Sequence, residues 1–271
     1  MSIDTSNFGR ASLTYFRRIG EAQFEPLDTG FTGGWAPDQM PGPMITGLLC
    51  HAGVEAARDL NPAQQLIRAS FDLFTRVRME VTGVRTEVVR QGRMISLIDV
   101  YLTQHGRDVA RAHLFFGYAG QSPDNGLWTL DAGITPPPAD LLHDDRKRLH
   151  FYRGGGGWHT TFMDFPGGVQ RGLWQRPFDF VEGEPTQGFV LAGFLTDLTN
   201  FVANFGDKGV QHINIDATVN FIREPQGEGM GILAQHTLET AGISAGNALL
   251  FDAHGPLALT SVSSIAHSRQ Q

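Results

Sequence analysis

The residues best suited to chemistry in this 271-residue sequence are Asp197, Asn200 and Asn204. They stand at i, i+3 and i+7 in a run from Glu184 to Gly206 that is otherwise apolar on almost every side. A helix would gather them on one face, with Gly193 one turn before the aspartate. An ionised carboxylate withdrawn from water is costly unless paired or hydrogen-bonded, and burial raises its pKa towards the range a general base needs. The plainer alternative is that Asp197 caps a loop or meets an arginine across the core. Buried ionisable groups concentrate at functional sites, which favours the chemical reading.

Other combinations carry less. Cys50 and His51 are neighbours on a second helical pattern, and adjacent helical residues diverge too far to share a hydrogen bond, so they make no Cys-His nucleophile. Cys50 reads as core or pocket lining and His51 as a cleft residue that could contact substrate. Glu55, one turn on, could pair with His51. The letters Gly-x-Ser-x-Gly occur at Gly242 to Gly246, but within a strand pattern that no helix follows, whereas a nucleophile elbow needs strand, turn and helix. Ten scattered histidines form no His-x-x-x-His or two-histidine-one-carboxylate spacing, so no metal is expected. Gly154 to Gly157 lacks the Lys-Ser/Thr of a phosphate loop, and no cofactor is expected.

The elements that would position Asp197 follow from the chain's punctuation. Pro185 suits a helix's first turn and Gly206 a left-handed stop, which predicts one long helix between them. Pro43 to Arg58 has the same character. A strand over Ala11 to Gly20 and a turn-rich stretch from Asp28 to Pro37 precede it. Extended runs over Leu66–Val77, Met79–Arg90, Met94–Gln104 and Asp108–Tyr118 follow, rich in β-branched and aromatic residues. From Gly120 to Asp145 glycine, proline, asparagine and aspartate dominate, which marks a linker. The same grammar then restarts: a strand from Arg148, the echo of Gly34-Trp-Ala-Pro37 in Leu173-Trp-Gln-Arg-Pro177, the Asp197 helix, and runs over Ile213–Arg223, Gly231–Thr240, Ala245–Asp252 and Pro256–Ser264.

The repetition can be measured. Phe74-Thr-Arg76 returns as Phe221-Ile-Arg223 after 147 residues, and His105-Gly106 as His254-Gly255 after 149. The offset of 147 sets Cys50 against Asp197, so the acid belongs to the second copy alone. Arg76 and Arg223 are equivalent strand-end cations, suited either to phosphate groups or to plain solvation.

A 41% apolar composition with 19 phenylalanines supplies a large core. No uninterrupted apolar run is long enough for a transmembrane helix, and the first residues lack signal-peptide character, so a soluble cytoplasmic protein is expected. The net charge of -7 without a basic stripe argues against nucleic acid and against membrane docking. One cysteine rules out an internal disulfide framework.

Taken together, Gly33-Gly-Trp-Ala-Pro37, Leu73-Phe-Thr-Arg76, Arg90-Gln-Gly-Arg93, Leu191-Ala-Gly-Phe-Leu-Thr-Asp197 and Val219-Asn-Phe-Ile-Arg-Glu-Pro225 resemble the double-hotdog acyl-CoA thioesterases of the thioesterase II type, over nearly the whole chain. The resemblance implies an α+β tandem hotdog in which two long apolar helices are each wrapped by a curled antiparallel sheet. Residues 1–119 would form the N-terminal unit, 120–145 the linker and 146–271 the C-terminal unit, with sheets joined edge to edge inside one chain. A homo-oligomer of such double units is compatible with that.

By the same resemblance acyl-CoA would lie between the helices, with Asp197 holding and deprotonating a water. The family places a hydroxyl residue on the strand after that helix and a glutamine on the final strand. Here those places fall to Asn214 and Ser263, or, with a strand register shifted by a residue or more, to Thr218 or Ser264. Asn200, His51, Arg76 and Arg223 would contact substrate. The departures leave room for a non-catalytic acyl-binding paralogue. A hotdog hydratase is disfavoured, because no Asp-x-Asn-x-x-His-like segment occurs.

Overall fold

The computed structural model describes residues 14–27, 38–129, 133–142, 149–160 and 168–267. Gly33 to Pro37 and most of the turn-rich stretch before the first helix lie outside the described residues. The first half runs β1 Phe16–Gly20, β2 Gln23–Pro26, α1 Gly42–Leu60, β3 Gln65–Leu73, β4 Thr82–Gln91, β5 Ile95–Gln104 and β6 Arg107–Gly117. After residues without regular structure come α2 Ala139–Leu142, β7 Leu149–Arg153, β8 Gly157–His159 and β9 Arg171–Gln175. The rest comprises α3 Gly188–Asp197, α4 Thr199–Asn204, β10 Phe205–Gly206, β11 Gly209–Val210, β12 His212–Asn214, β13 Asp216–Phe221, β14 Met230–Thr240, β15 Ile243–Asp252 and β16 Gly255–Ala266.

One sheet holds both halves. Its order is β1-β2-β4-β5-β6-β3-β13-β16-β15-β14-β9-β7-β8, with β12 also on β16, and the two meanders meet where β3 pairs antiparallel with β13. There Ser70 opposes Thr218 and Phe71 opposes Ala217. An offset of 148 keeps the two faces in step, setting Ala69 on Ala217, Ser70 on Thr218 and Phe71 on Val219, so Ser70 pairs with its own equivalent and the flanking residues cross-pair, as a local twofold axis through this point requires. Joining at the seam removes two free edges that would otherwise template association with other chains.

Alternation sets the two faces. On β5 Ile98, Val100 and Leu102 are buried against the helices, as are Ala110, Ala112 and Leu114 on β6 and Ala217 and Val219 on β13. α1 is buried along Pro43 to Val54, and it lies antiparallel to α3: Gly42 meets Asp197 at one end and Cys50 meets Gly193 further along. A β-carbon on Gly193 would collide with Cys50, so this glycine lets the backbones approach closely.

The single helix expected from Pro185 to Gly206 is not what forms. Residues before Gly188 are held in a turn, where Thr186 Oγ1 accepts from the Phe180 N–H at 2.7 Å and Val181 bridges Glu184, so the helix starts late. It is then interrupted at Leu198 (ψ -3°), two residues after Thr196, whose Oγ1 bonds back to the Ala192 carbonyl at 2.7 Å. Hydroxyl bonds of this kind compete with the helical ladder and bend it. At the far end Gly206 sits in the β10–β11 hairpin, and Gly209 (φ +79°) takes the left-handed position instead. The second half therefore carries a 10-residue and a 6-residue helix where the first carries one of 19.

Candidate active site

Asp197 is the last residue of α3 and is 7% exposed. Its carboxylate faces the start of α1 so closely that a β-carbon on Gly42 would overlap both oxygens. Asn214 Nδ2 donates to Asp197 Oδ1 at 2.8 Å. Burial pushes the Asp197 pKa up from the ordinary carboxylate range to about 6, and the Asn214 hydrogen bond opposes that rise. The acid is thus dry, held by one neutral donor and near half-ionised in mildly acidic solution. Among the described residues no arginine is bonded to it, and it sits at the positive end of the α1 macrodipole, where charge of its own sign is favoured.

Asn214 is held in place by a buried polar set. It lies on β12, opposite Ser264 of β16. Two residues earlier the His212 carbonyl accepts from Asn200 Nδ2 at 2.9 Å. Asn200 Oδ1 in turn accepts from Asn204 Nδ2 at 2.8 Å and from the fully buried Ser264 Oγ at 3.0 Å, and Asn204 Oδ1 accepts from Ser244 Oγ at 2.6 Å. Satisfied buried networks of this kind fix one local geometry. Asn200, expected to contact substrate, instead ties α4 to β12 and β16. Ser244, the serine of the Gly-x-Ser-x-Gly letters, is buried in the same network.

Ser263 is turned away from Asp197. On β16 Ala258, Thr260, Val262 and Ser264 are buried on the helix side, and Leu259 and Ile265 are exposed on the other, so the alternation sends Ser263 outward. Its N–H donates to Asp216 Oδ1 at 2.5 Å and its hydroxyl to Asp216 Oδ2 at 3.1 Å, where the break between β12 and β13 leaves the ladder open. Ser264 is the hydroxyl on the helix side. Thr218 also faces outward, donating to Ser70 Oγ across the seam at 3.3 Å.

The remaining candidates lie elsewhere. His51 is nine residues from Gly42, about 13 Å along the helix axis. It is enclosed by Arg18 Nη2 at 3.0 Å and Glu184 at 3.2 Å, with the Phe24 ring edge-on, and its pKa is lowered, mainly by burial. Glu55 bonds Arg18 rather than His51. His51 thus belongs to an ion cluster that pins β1 and the turn before α3 to α1.

Arg223 sits by the opposite end of α3 from Asp197, since Pro225 packs on Gly188. All five of its N–H bonds are committed: two to Asp252 at 2.7 Å each, and the others to the carbonyls of Pro256, Glu224 and Gly255. No donor is left for a phosphate. Arg76, its counterpart, follows β3 and pairs with Asp38 on the protein surface.

Gly42 is the contact that sequence reasoning missed, although the Gly42-Pro43 pair at the helix start was the available signal. Asp216 was missed because its role arises from a break inside a predicted strand.

Comparison with known proteins agrees with this architecture. Residues 32–117 match the family model described as the acyl-CoA thioesterase N-terminal domain, and residues 135–263 match the acyl-CoA thioesterase C-terminal domain. No curated protein sequence matches the chain. Among solved structures, the fold is similar to a tesB protein of Mycobacterium avium subspecies paratuberculosis, with 14% identity, 93% of this chain and 95% of that chain covered, and a TM-score of 0.65. It is similar to acyl-CoA thioesterase II TesB2 of Mycobacterium marinum, with 16% identity, 94% and 96% covered, and a TM-score of 0.64. A hot dog fold protein of Alicyclobacillus acidocaldarius aligns at 15% identity over 94% and 96% of the two chains, with a TM-score of 0.64. Among the described residues no helix is long and apolar enough to cross a membrane.

Proposed function

Since the chain belongs to the acyl-CoA thioesterase family, with both of that family's domains present in order, it is an acyl-CoA thioester hydrolase, and we propose that Asp197 is the base that activates the attacking water. The observation that carries this reading is the carboxylate itself: buried, bonded among the described residues to the Asn214 amide alone, and raised to a pKa of about 6.

A base of that strength is ionised at neutral pH and still accepts a proton as the reaction proceeds. Water adds to the thioester carbonyl carbon while Asp197 takes one of its protons. The carbonyl electrons move onto oxygen, and the tetrahedral oxyanion forms near the first turn of α1, whose amides and dipole favour negative charge. Collapse of that intermediate breaks the carbon–sulfur bond, and the proton held by Asp197 returns to the departing thiolate. The products are the free acid and the thiol. Because a thiolate leaves readily, the step demands a positioned base and a dry site more than a strong electrophile.

Asp197→Asn keeps the shape and the partner while removing the base. Thiol release from a panel of acyl-CoA chain lengths is expected to fall at least about a hundredfold, the usual scale for general-base loss. An undiminished rate with intact circular dichroism removes Asp197 from the mechanism.

A further inference from the structure

The two copies of the duplicated unit have diverged in opposite ways at their strand ends, and the difference falls where a phosphate-bearing ligand would need it. In the second copy the end is closed. Arg223 is locked onto Asp252, and an offset of 148, under which the Gln226 N–H bonds Asp252 as the Arg78 N–H bonds Gln104, puts Gln226 and Gly255 where the first copy has Arg78 and Arg107. The residue that locks the arginine differs as well, because the uncharged Gln104 stands at the place of Asp252.

In the first copy the same place is an open groove of about 320 Å³ lined by Arg76, Arg78, His105, Arg107 and Asp108, among others. Its charges are loosely compensated. Arg76 pairs with Asp38, Arg78 lies 3.8 Å from Asp38 and 3.9 Å from Glu80, and Asp108 is drawn to Arg85 at 3.3 Å. The Arg107 side chain has no ion-pair or hydrogen-bond partner among the described residues. In a chain of net charge -7, this opening balances three arginines against Asp38, Glu80 and Asp108, and the unpaired Arg107 guanidinium is the donor it offers to an incoming phosphate.

The groove is on the Asp197 end of the molecule. Residues 38–40 run beside its wall, with the Met40 N–H bonded to the Val77 carbonyl at 2.9 Å and the Met79 N–H to the Asp38 carbonyl at 2.9 Å. Two residues later Gly42 lies under the Asp197 carboxylate. Asp38 and Gly42 are four residue steps apart, at most about 14 Å of extended chain. That is a distance the pantetheine arm of coenzyme A can bridge. Arg223 has no such path, being beside the other end of α3.

We propose that the Arg76–Arg78–Arg107 groove binds the phosphate groups of coenzyme A while the thioester reaches Asp197, so that the duplicated halves divide the work: anion binding in the first, the acid in the second. This rests on the acyl-CoA hydrolase reading of the same site.

The test is direct binding, which does not depend on turnover. Calorimetry would compare coenzyme A, 4′-phosphopantetheine and pantetheine on the full-length protein and on Arg107→Ala and Arg78→Ala/Arg107→Ala variants, at low and high salt. The expected result is a loss of coenzyme A affinity of at least tenfold in the double variant, a flatter salt dependence and unchanged pantetheine binding, with Arg107→Lys retaining most of the affinity. Unchanged coenzyme A affinity overturns the proposal, as does an equal loss for pantetheine, which would report damage to the fold. An equal loss for 4′-phosphopantetheine supports the proposal and places the pantetheine-side phosphate in the groove, whereas a loss for coenzyme A alone supports it and places the nucleotide phosphates there. Failure here with acyl-CoA hydrolysis intact leaves Asp197 standing, and inactivity of Asp197→Asn with normal coenzyme A binding leaves the groove standing.

Discussion

The carboxylate of Asp197 rests against the α-carbon of Gly42, so the last residue of one helix and the first residue of its antiparallel partner share a single van der Waals surface. That contact dictates the identity of residue 42. Alanine there fits the helix and adds no polar group, but its β-carbon occupies the carboxylate's place. Gly42→Ala is expected to swing Asp197 off its Asn214 partner and lower kcat at least about tenfold, since small displacements of a reacting group cost one to two orders of magnitude. A thermal melt close to that of the parent protein would show that the loss is local. Full activity in the variant would mean that the carboxylate need not occupy this position.

Asn214 holds the acid's pKa down against burial. Removing a hydrogen bond to a charged group changes its free energy by roughly 1.5–3 kcal/mol, equivalent to about one pKa unit or more. Asn214→Ala should therefore move the acid limb of the kcat/KM profile upward from about pH 6, so that the variant loses more activity at pH 6 than at pH 8. A uniform loss at both pH values would indicate that Asn214 orients the water or substrate without tuning the acid.

Much of the fold around Asp197 is legible in the sequence. The spacing of Asp197, Asn200 and Asn204, the repeat offset and the strand pattern are local signals, and the meander runs recur close to their predicted limits. The helix ends were misread because proline and glycine advertise permission rather than obligation: Pro185 was drawn into a turn by the Thr186 hydroxyl, and Gly206 into a hairpin. Ser263 was misplaced by a single residue, which in a strand sends the side chain to the opposite face. For Arg223 and Asn200 the sequence shows a donor but not its partners, and both find theirs through long-range packing.

Burial of Asp197 carries a stability cost with a definite pH dependence. Its folded pKa of about 6 exceeds the ordinary carboxylate value, so the folded state binds the extra proton and stability falls as pH rises from about 4 to about 6, then levels off. Asp197→Asn removes the titration. The variant should be more stable than the parent at pH 7.5 by up to about 3 kcal/mol, with the advantage shrinking towards pH 4. Urea melts at the two pH values measure it. A constant difference would show that Asp197 titrates alike in the folded and unfolded chains.

Arg223 and Asp252 pose the reverse case at the other end of the helix pair. Burial by itself would raise the Asp252 pKa, but the Arg223 guanidinium and the amides of Gln226 and His254 together hold it below its ordinary value. A depressed folded pKa contributes stability that is present above about pH 4 and lost as pH falls through the folded value. The Asp252 side chain is fully enclosed, so Arg223→Ala strands a buried charge, which typically costs about 3–5 kcal/mol. The variant should be strongly destabilised at pH 7.5 and approach the parent near pH 3, while the folded fraction keeps its kcat and its KM for acyl-CoA. Denaturation curves at both pH values, with kinetics below the melting temperature, separate the two roles: a raised KM in a stable Arg223→Ala protein would return this arginine to the substrate, and a lost melt with unchanged KM fixes it as the clamp that closes the second meander.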